Sequence, residues 1–243
     1  MNLKNTGKNT DPKTIDSNRE ETEEYYRRIA KKYDETRVGN PKQVFFNKLK
    51  AGVIADYSGD GRILDVGCGT GMVTQYLRGK VYAGDVNPEM LEIAKKRTRA
   101  FLSVFSAYNL PFRDNFFDAV ISIKVIYHLK EPKKAIKEIE RVLKTGGKAV
   151  IDYPSKHSIG GIVFKILHGE TDVRMLRTTI EEFEKMTSLK IEKIYIHETF
   201  WTTLIPPFFF KLKLLRKFAL LLEKLGNIFP RELGSNFVFC LRK

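Results

Sequence analysis

The chain has little of what several protein classes require. Only two cysteines, Cys68 and Cys240, occur in 243 residues. Two thiols make no disulfide framework and point to a reducing compartment, so a cytoplasmic location is expected. The four histidines, His128, His157, His168 and His197, are scattered and show no ligand spacing with the cysteines, so no metal is expected. Met1 to Arg19 is polar and lacks the apolar stretch of a secretory signal. The greasiest segment, Thr199 to Phe229, is broken by proline and charge, whereas a bilayer span needs about 20 mostly apolar residues. Acidic residues are also scarce, 29 against 43 lysines and arginines, giving a formal charge of +14. That surplus suggests an anionic partner (nucleic acid, an acidic membrane surface or a negatively charged small molecule) or simply helix faces solvated by lysine.

What is present begins with Ile63-Leu-Asp-Val-Gly-Cys-Gly-Thr-Gly71. A short apolar strand runs into a turn at Gly67, Gly69 and Gly71, followed by a helix expected from about Met72. Glycine suits backbone that bends tightly and approaches a ligand closely. A second apolar run ends at Asp85, and a carboxylate there can accept hydrogen bonds from ribose hydroxyls. The dinucleotide fingerprint is G-x-G-x-x-G; here Met72 stands where its last glycine would be. Asp65, two residues before the turn, would repel a pyrophosphate and favour a ligand carrying ammonium and sulfonium groups. S-adenosylmethionine is such a ligand.

At these residues the chain resembles the class I S-adenosylmethionine-dependent methyltransferases, in the small-molecule group related to the quinone C-methyltransferases. The resemblance continues through Gly84-Asp-Val-Asn-Pro-Glu-Met90, Ser106-Ala107 with Leu110-Pro-Phe112, Phe117 to Ile123, and Arg141-Val-Leu-Lys-Thr-Gly-Gly147. It implies a doubly wound α/β sheet of Rossmann type, mostly parallel, with an antiparallel last strand inserted in the sheet. The alternation of short apolar runs with helical patterns from Arg62 to Tyr153 argues independently for such a sheet. The expected organisation is a disordered leader over 1–19, an N-terminal helical lid over 20–58, and a core over 59–243. Insertions at 154–178 and 199–233 are expected to complete the acceptor site.

The candidate cofactor residues are Asp65, Gly67, Cys68, Gly69, Gly71, Asp85, Val86, Ser106, Ala107, Leu110 and Ile123. Cys68 reads as a small residue fitting the turn, not a nucleophile. Val86 and Leu110 are placed to sandwich the adenine, and Ser106 and Ala107 to meet its edge. The resemblance carries a cofactor-covering role to Tyr33, whose alternative is packing against the second helix. That helix, opened by Pro41, sets Val44, Phe45, Leu49, Val53 and Ile54 on one face. Lys124 and His128 follow the fourth strand, where an acceptor should meet the methyl group. Lys124 departs from the family's usual residues and either binds an anionic acceptor or snorkels outward. His128 is either a base or an organiser of the following loop.

Three readings stay open for the basic, leucine-rich segment beyond Phe209. It is a lid over the sheet, an interfacial helix on an anionic membrane, or a nucleic-acid surface, the last disfavoured by the absence of an appended RNA module. The expected partner is a small-molecule acceptor, anionic or lipophilic, with peripheral membrane association open; oligomeric state is not legible.

Overall fold

The computed structural model describes residues 40–158, 162, 175–197, 202, 205–226 and 234–243. Tyr33, the expected leader and the expected first helix lie outside these residues, as do most of the insertion at 154–178 and both ends of the one at 199–233.

Seven strands form one sheet in the order β3-β2-β1-β4-β5-β7-β6. They are β1 (Arg62–Val66), β2 (Lys80–Asp85), β3 (Phe101–Val104), β4 (Phe117–Ser122), β5 (Leu143–Pro154), β6 (Lys190–His197) and β7 (Asn236–Arg242). β1 to β5 pair in parallel, while β7 runs antiparallel between β5 and β6. This is the expected sheet with its inserted last strand. Strand order reverses between β1 and β4, so the crevice beyond the carboxyl ends of these two strands is where an open α/β sheet takes its ligand.

The helices are α1 (Pro41–Ser58), α2 (Pro88–Lys95), α3 (Pro132–Val142), α4 (Ile180–Glu184) and α5 (Lys213–Gly226). α1 starts where Asn40 accepts from the backbone of Lys42 and Gln43, with Pro41 fixing the first turn. α4 opens with the capping box of Thr179 and Glu182. α3 buries Ala135, Ile136, Ile139 and Val142 against a core that includes Leu64, Val120, Ile151, Tyr153 and Phe239. On the opposite face Ile54 of α1 packs with Ile121, Val150 and Cys240.

Two local expectations are corrected. The helix after the glycine turn is only a 3-10 turn at Thr74–Tyr76. The inward face of α1 is Phe46, Lys50, Ala51, Ile54, Ala55 and Ser58, while Val44 is exposed. A lysine can hold that inward position because a buried carboxylate meets it. The basic C-terminal segment is also divided, into a 3-10 turn at Pro207–Lys211 and then α5. Phe210 of that turn is buried with Phe46 and Ala219, which seats the segment on α1.

Candidate active site

β1 delivers the chain to a turn whose three glycines all have positive φ, +75° at Gly67, +51° at Gly69 and +76° at Gly71. They do different work. A Cβ at Gly67 would lie 2.2 Å from Cγ2 of Val125, so this glycine admits the loop after β4. Gly71 is packed on α2, where a Cβ would come 3.3 Å from that of Ala94. A Cβ at Gly69 would meet nothing within 4 Å. Of the three, Gly69 alone has open space where a side chain would stand; at Gly67, expected to share the ligand's approach, that space is taken by Val125.

The turn is tied to the end of β2. The backbone N–H groups of Gly67 and Cys68 donate to the carbonyl of Gly84 at 2.8 and 3.0 Å. Gly69 N–H donates to Oδ2 of Asp85 at 2.8 Å, and Asn87 N–H to Oδ1 at 3.0 Å. Asp85 is thereby fixed beside the open glycine. A carboxylate accepts hydrogen bonds at both oxygens, the property a ribose diol requires of its partner. Asn87 caps α2 through its side-chain oxygen, received by the N–H groups of Glu89 and Met90. Its buried amide nitrogen Nδ2 has no hydrogen-bond partner in the structure. An open glycine cradle, a fixed carboxylate and an orphaned donor together fit a ribose-bearing ligand.

Asp65 lies behind the turn, buried, accepting from the Thr74 hydroxyl at 2.6 Å. Burial pushes its pKa up to about 7; the Thr74 hydrogen bond opposes the shift and the Asp85 charge adds to it. A cationic group arriving nearby would draw it back towards ionisation. Cys68 is a buried free thiol whose pKa is raised by burial and by the Asp65 and Asp85 charges, which leaves it a packed turn residue.

The adenine-side residues separate. Val86 is exposed at the crevice, whereas Leu110 and Ala107 lie in the apolar core with Phe105 and Tyr127. Leu110 was expected to sandwich the adenine by its side chain, which is buried here, while Ala107 was expected only to meet the adenine edge. The Ser106 hydroxyl accepts from Tyr108 N–H and so closes its own turn. Ile123 is buried on the α1 face with Ile54. The Leu110–Phe112 segment is clamped from α3. Arg141 donates to the carbonyls of Leu110 and Phe112 and to Asp114 and Glu138, while Glu138 accepts from Leu110 N–H at 2.9 Å. Arg141 holds the Glu138 carboxyl below its ordinary value.

At the end of β4, Lys124 adopts φ +63°, a left-handed conformation that costs a non-glycine residue about 1–3 kcal/mol. Its N–H donates to Oδ1 of Asp152 on β5 at 2.6 Å. The other oxygen of Asp152 takes the Lys50 ammonium of α1 at 2.9 Å, in an ion pair only 5% and 2% exposed. One carboxylate therefore fixes both the lid-side helix and the strained turn. His128 ends a 3-10 turn at Ile126–His128, its ring 4.4 Å from that of Tyr127. Lys124, Val125 and His128 thus follow β4, the neighbour of β1, and Val125 packs at Gly67 of the glycine turn. His157 is exposed in the loop after β5, and His197 is buried 3.8 Å from Glu223, away from this group.

Sequence reasoning did not single out Asp152, Lys50, Thr74 or Asn87. Asp152 had a readable signal: a lone carboxylate inside Ala149-Val-Ile-Asp-Tyr153, a strand too apolar to be open on either face, demands a buried partner.

With this geometry in place, the comparisons with known proteins show what the chain is similar to. The family model described as a methyltransferase domain matches residues 64–151, from β1 through β5. Residues 64–151 thus carry a methyltransferase domain, and the chain is similar to class I S-adenosylmethionine-dependent methyltransferases. Relatives of this domain include an uncharacterized protein of Methanocaldococcus jannaschii, 33% identical over 147 residues, covering 60% of this chain and 57% of that one. A ubiquinone/menaquinone biosynthesis C-methyltransferase of Desulfotalea psychrophila is 38% identical over 100 residues, 38% of this chain and 41% of that one. A tRNA (carboxymethyluridine(34)-5-O)-methyltransferase of Arabidopsis thaliana is 35% identical over 132 residues, 52% of this chain and 30% of that one. The methyltransferase chain thus spans little more than half the length of even the first of these relatives. A crystal structure of an S-adenosylmethionine-dependent methyltransferase from Thermotoga maritima shares the fold, with TM-score 0.63 at 20% identity over 90% of this chain and 98% of that one. S-adenosylmethionine is the cofactor of this domain.

Proposed function

We propose that the protein transfers a methyl group from S-adenosylmethionine to a small-molecule acceptor that is anionic or lipophilic. The observation carrying this reading is the open Gly69 cradle beside the fixed Asp85 carboxylate, facing the strained Lys124 turn across the strand-order switch. The cofactor supplies an electrophilic methyl: a lone pair of the acceptor forms the new bond as the carbon–sulfur bond breaks, and that electron pair returns to sulfur. The residues of this chain have the tasks of holding and aligning. Asp85 receives the ribose hydroxyls, Gly69 lets the ligand close on the backbone, and Asp65 balances the cationic end. Lys124, its backbone set by Asp152, offers an ammonium to an anionic acceptor, and His128 is the nearest candidate to take the acceptor's proton. Much of the barrier in such a displacement is lowered by near-attack alignment, so rigid positioning is the main contribution of the protein.

Two measurements test this. Asp85→Ala should weaken binding of S-adenosylhomocysteine by about 1–3 kcal/mol in calorimetry, as expected when charged hydrogen bonds are lost; unchanged affinity removes the ribose assignment. Labelled methyl from S-adenosylmethionine, offered to small-molecule, lipid and RNA fractions separately, should appear in the first or second. Label confined to RNA would favour the second reading, a tRNA or rRNA methyltransferase, which the charge of +14 and the Arabidopsis relative support. Cofactor binding with no labelled product in any fraction would indicate a binding protein without turnover.

A further inference from the structure

α5 has two apolar faces, and the protein core uses only one of them. Ala219 and Glu223 are buried, flanked by the half-buried Leu215 and Leu222. On the opposite side Leu214, Phe218, Leu221 and Leu225 are exposed by 50% to 77% of their surface. At 100° per residue these four fall within an arc of roughly 60°. Phe208 and Leu212, 63% and 61% exposed, extend the stripe into the preceding turn. Lys217 and Lys224, one helical repeat apart, are exposed along one edge of the arc, and Lys211 is exposed beside Phe208.

We propose that this face is an interfacial docking surface for an anionic lipid bilayer. The inference goes beyond the methyl-transfer reading and does not depend on which acceptor is used. Its chemistry selects among occupants. The stripe offers only two rings, Phe208 and Phe218, among four leucines, whereas a nucleic-acid surface stacks successive bases on successive aromatic groups. It does offer branched alkyl groups at a common depth, with lysines at the rim where lipid phosphates lie. The net charge of +14 brings the same complement to the molecule as a whole. Among the described residues no helix is long and apolar enough to cross a membrane, so α5 would lie in the surface plane. Because α5 is held to the body by Phe210 and Ala219 packed on Phe46, embedding the outer stripe need not expose the inner one.

The test is flotation of the full chain with vesicles of phosphatidylglycerol and phosphatidylcholine, against vesicles of phosphatidylcholine alone. The protein should float with the anionic vesicles and be left behind by the neutral ones. The triple change Leu214→Ser, Phe218→Ser, Leu221→Ser and, separately, the pair Lys217→Glu, Lys224→Glu should each lower that partitioning by roughly ten-fold or more. S-adenosylhomocysteine affinity, measured in parallel, should be unchanged and so certify the fold. Absence of flotation overturns the proposal. So does loss with the lysine pair alone, which would mean attraction without insertion. A dimer in sedimentation velocity that the triple change dissolves would assign the stripe to a second copy and overturn it equally.

Discussion

The two walls of the crevice are built on different principles. The donor wall, from Asp65 to Asn87, is local: backbone donors from one turn converge on one carbonyl and one carboxylate within a short stretch of sequence. The acceptor wall, from Lys124 to His128, is held from afar. Its key hydrogen bond is donated by Lys124 N–H to Asp152 on β5, which also accepts from Lys50 on α1, 102 positions away in sequence. A wall made of neighbouring residues can be recognised as a motif. A wall assembled from three distant elements can diverge piece by piece, which is how one cofactor site comes to serve many acceptors.

The largest way to break this contrast is Asp152→Ala. It strands a buried ammonium at Lys50 and removes the acceptor of Lys124 N–H, and should cost about 3–5 kcal/mol of stability in denaturant titration. The protein that remains folded should still bind S-adenosylhomocysteine. If affinity collapses in step with stability, the two walls are not separable.

Gly69→Val should do the reverse. The branched side chain would fill the open side of the turn, and S-adenosylhomocysteine affinity should fall at least ~100-fold, with a stability loss of only about 1–3 kcal/mol from the positive φ. Normal binding would show that the turn is not where the ligand approaches.

A smaller effect should come from pH. The pKa of Asp65 stands near 7 in the folded protein, against about 4 when unfolded. The folded state therefore holds this proton more tightly. The contribution of Asp65 to stability is full below the unfolded value, declines as pH rises from about 4, and is gone above about 7. S-adenosylhomocysteine binding should run the other way, tightening from pH 6 to 8 with proton release, because an ammonium favours the ionised carboxyl. Asp65→Asn should flatten both trends, and calorimetry in buffers of different ionisation enthalpy would read the proton. A binding curve independent of pH would mean that no cationic group reaches Asp65.

The smallest expected change is Lys124→Gly. Relief of the left-handed backbone should stabilise the protein by about 1 kcal/mol or slightly more. Methyl transfer should nevertheless fall, since the ammonium is gone. A gain in both would make Lys124 a structural accident and not part of the acceptor wall.

The same contrast explains what was legible beforehand. The strand at Arg62–Val66 and the capping box at Thr179 could be read because apolar periodicity and turn chemistry are written in consecutive residues, whereas the last strand's place beside β5 was implied by the family resemblance. Gly69 and Asp85 were readable for the same reason. The burial of Leu110 was not legible, because an apolar residue near a site has the same signature whether it lines a pocket or the core behind it. Lys50 misled α1's inward face because a buried lysine is comprehensible only once Asp152 is seen opposite. Gly67 belonged to a ligand motif by spacing, yet its neighbour is Val125, and no spacing rule reaches from one loop to the other.

That contact between Gly67 and Val125 has a lasting consequence. With a hypothetical Cβ only 2.2 Å from the valine methyl, the donor loop and the acceptor loop share a seam that leaves room for no added atom on the glycine side. Neither loop can be rebuilt around that seam without the other giving way. Room to adapt to a different acceptor then lies at positions beside the seam, Lys124 and His128 among them, and not in the seam itself.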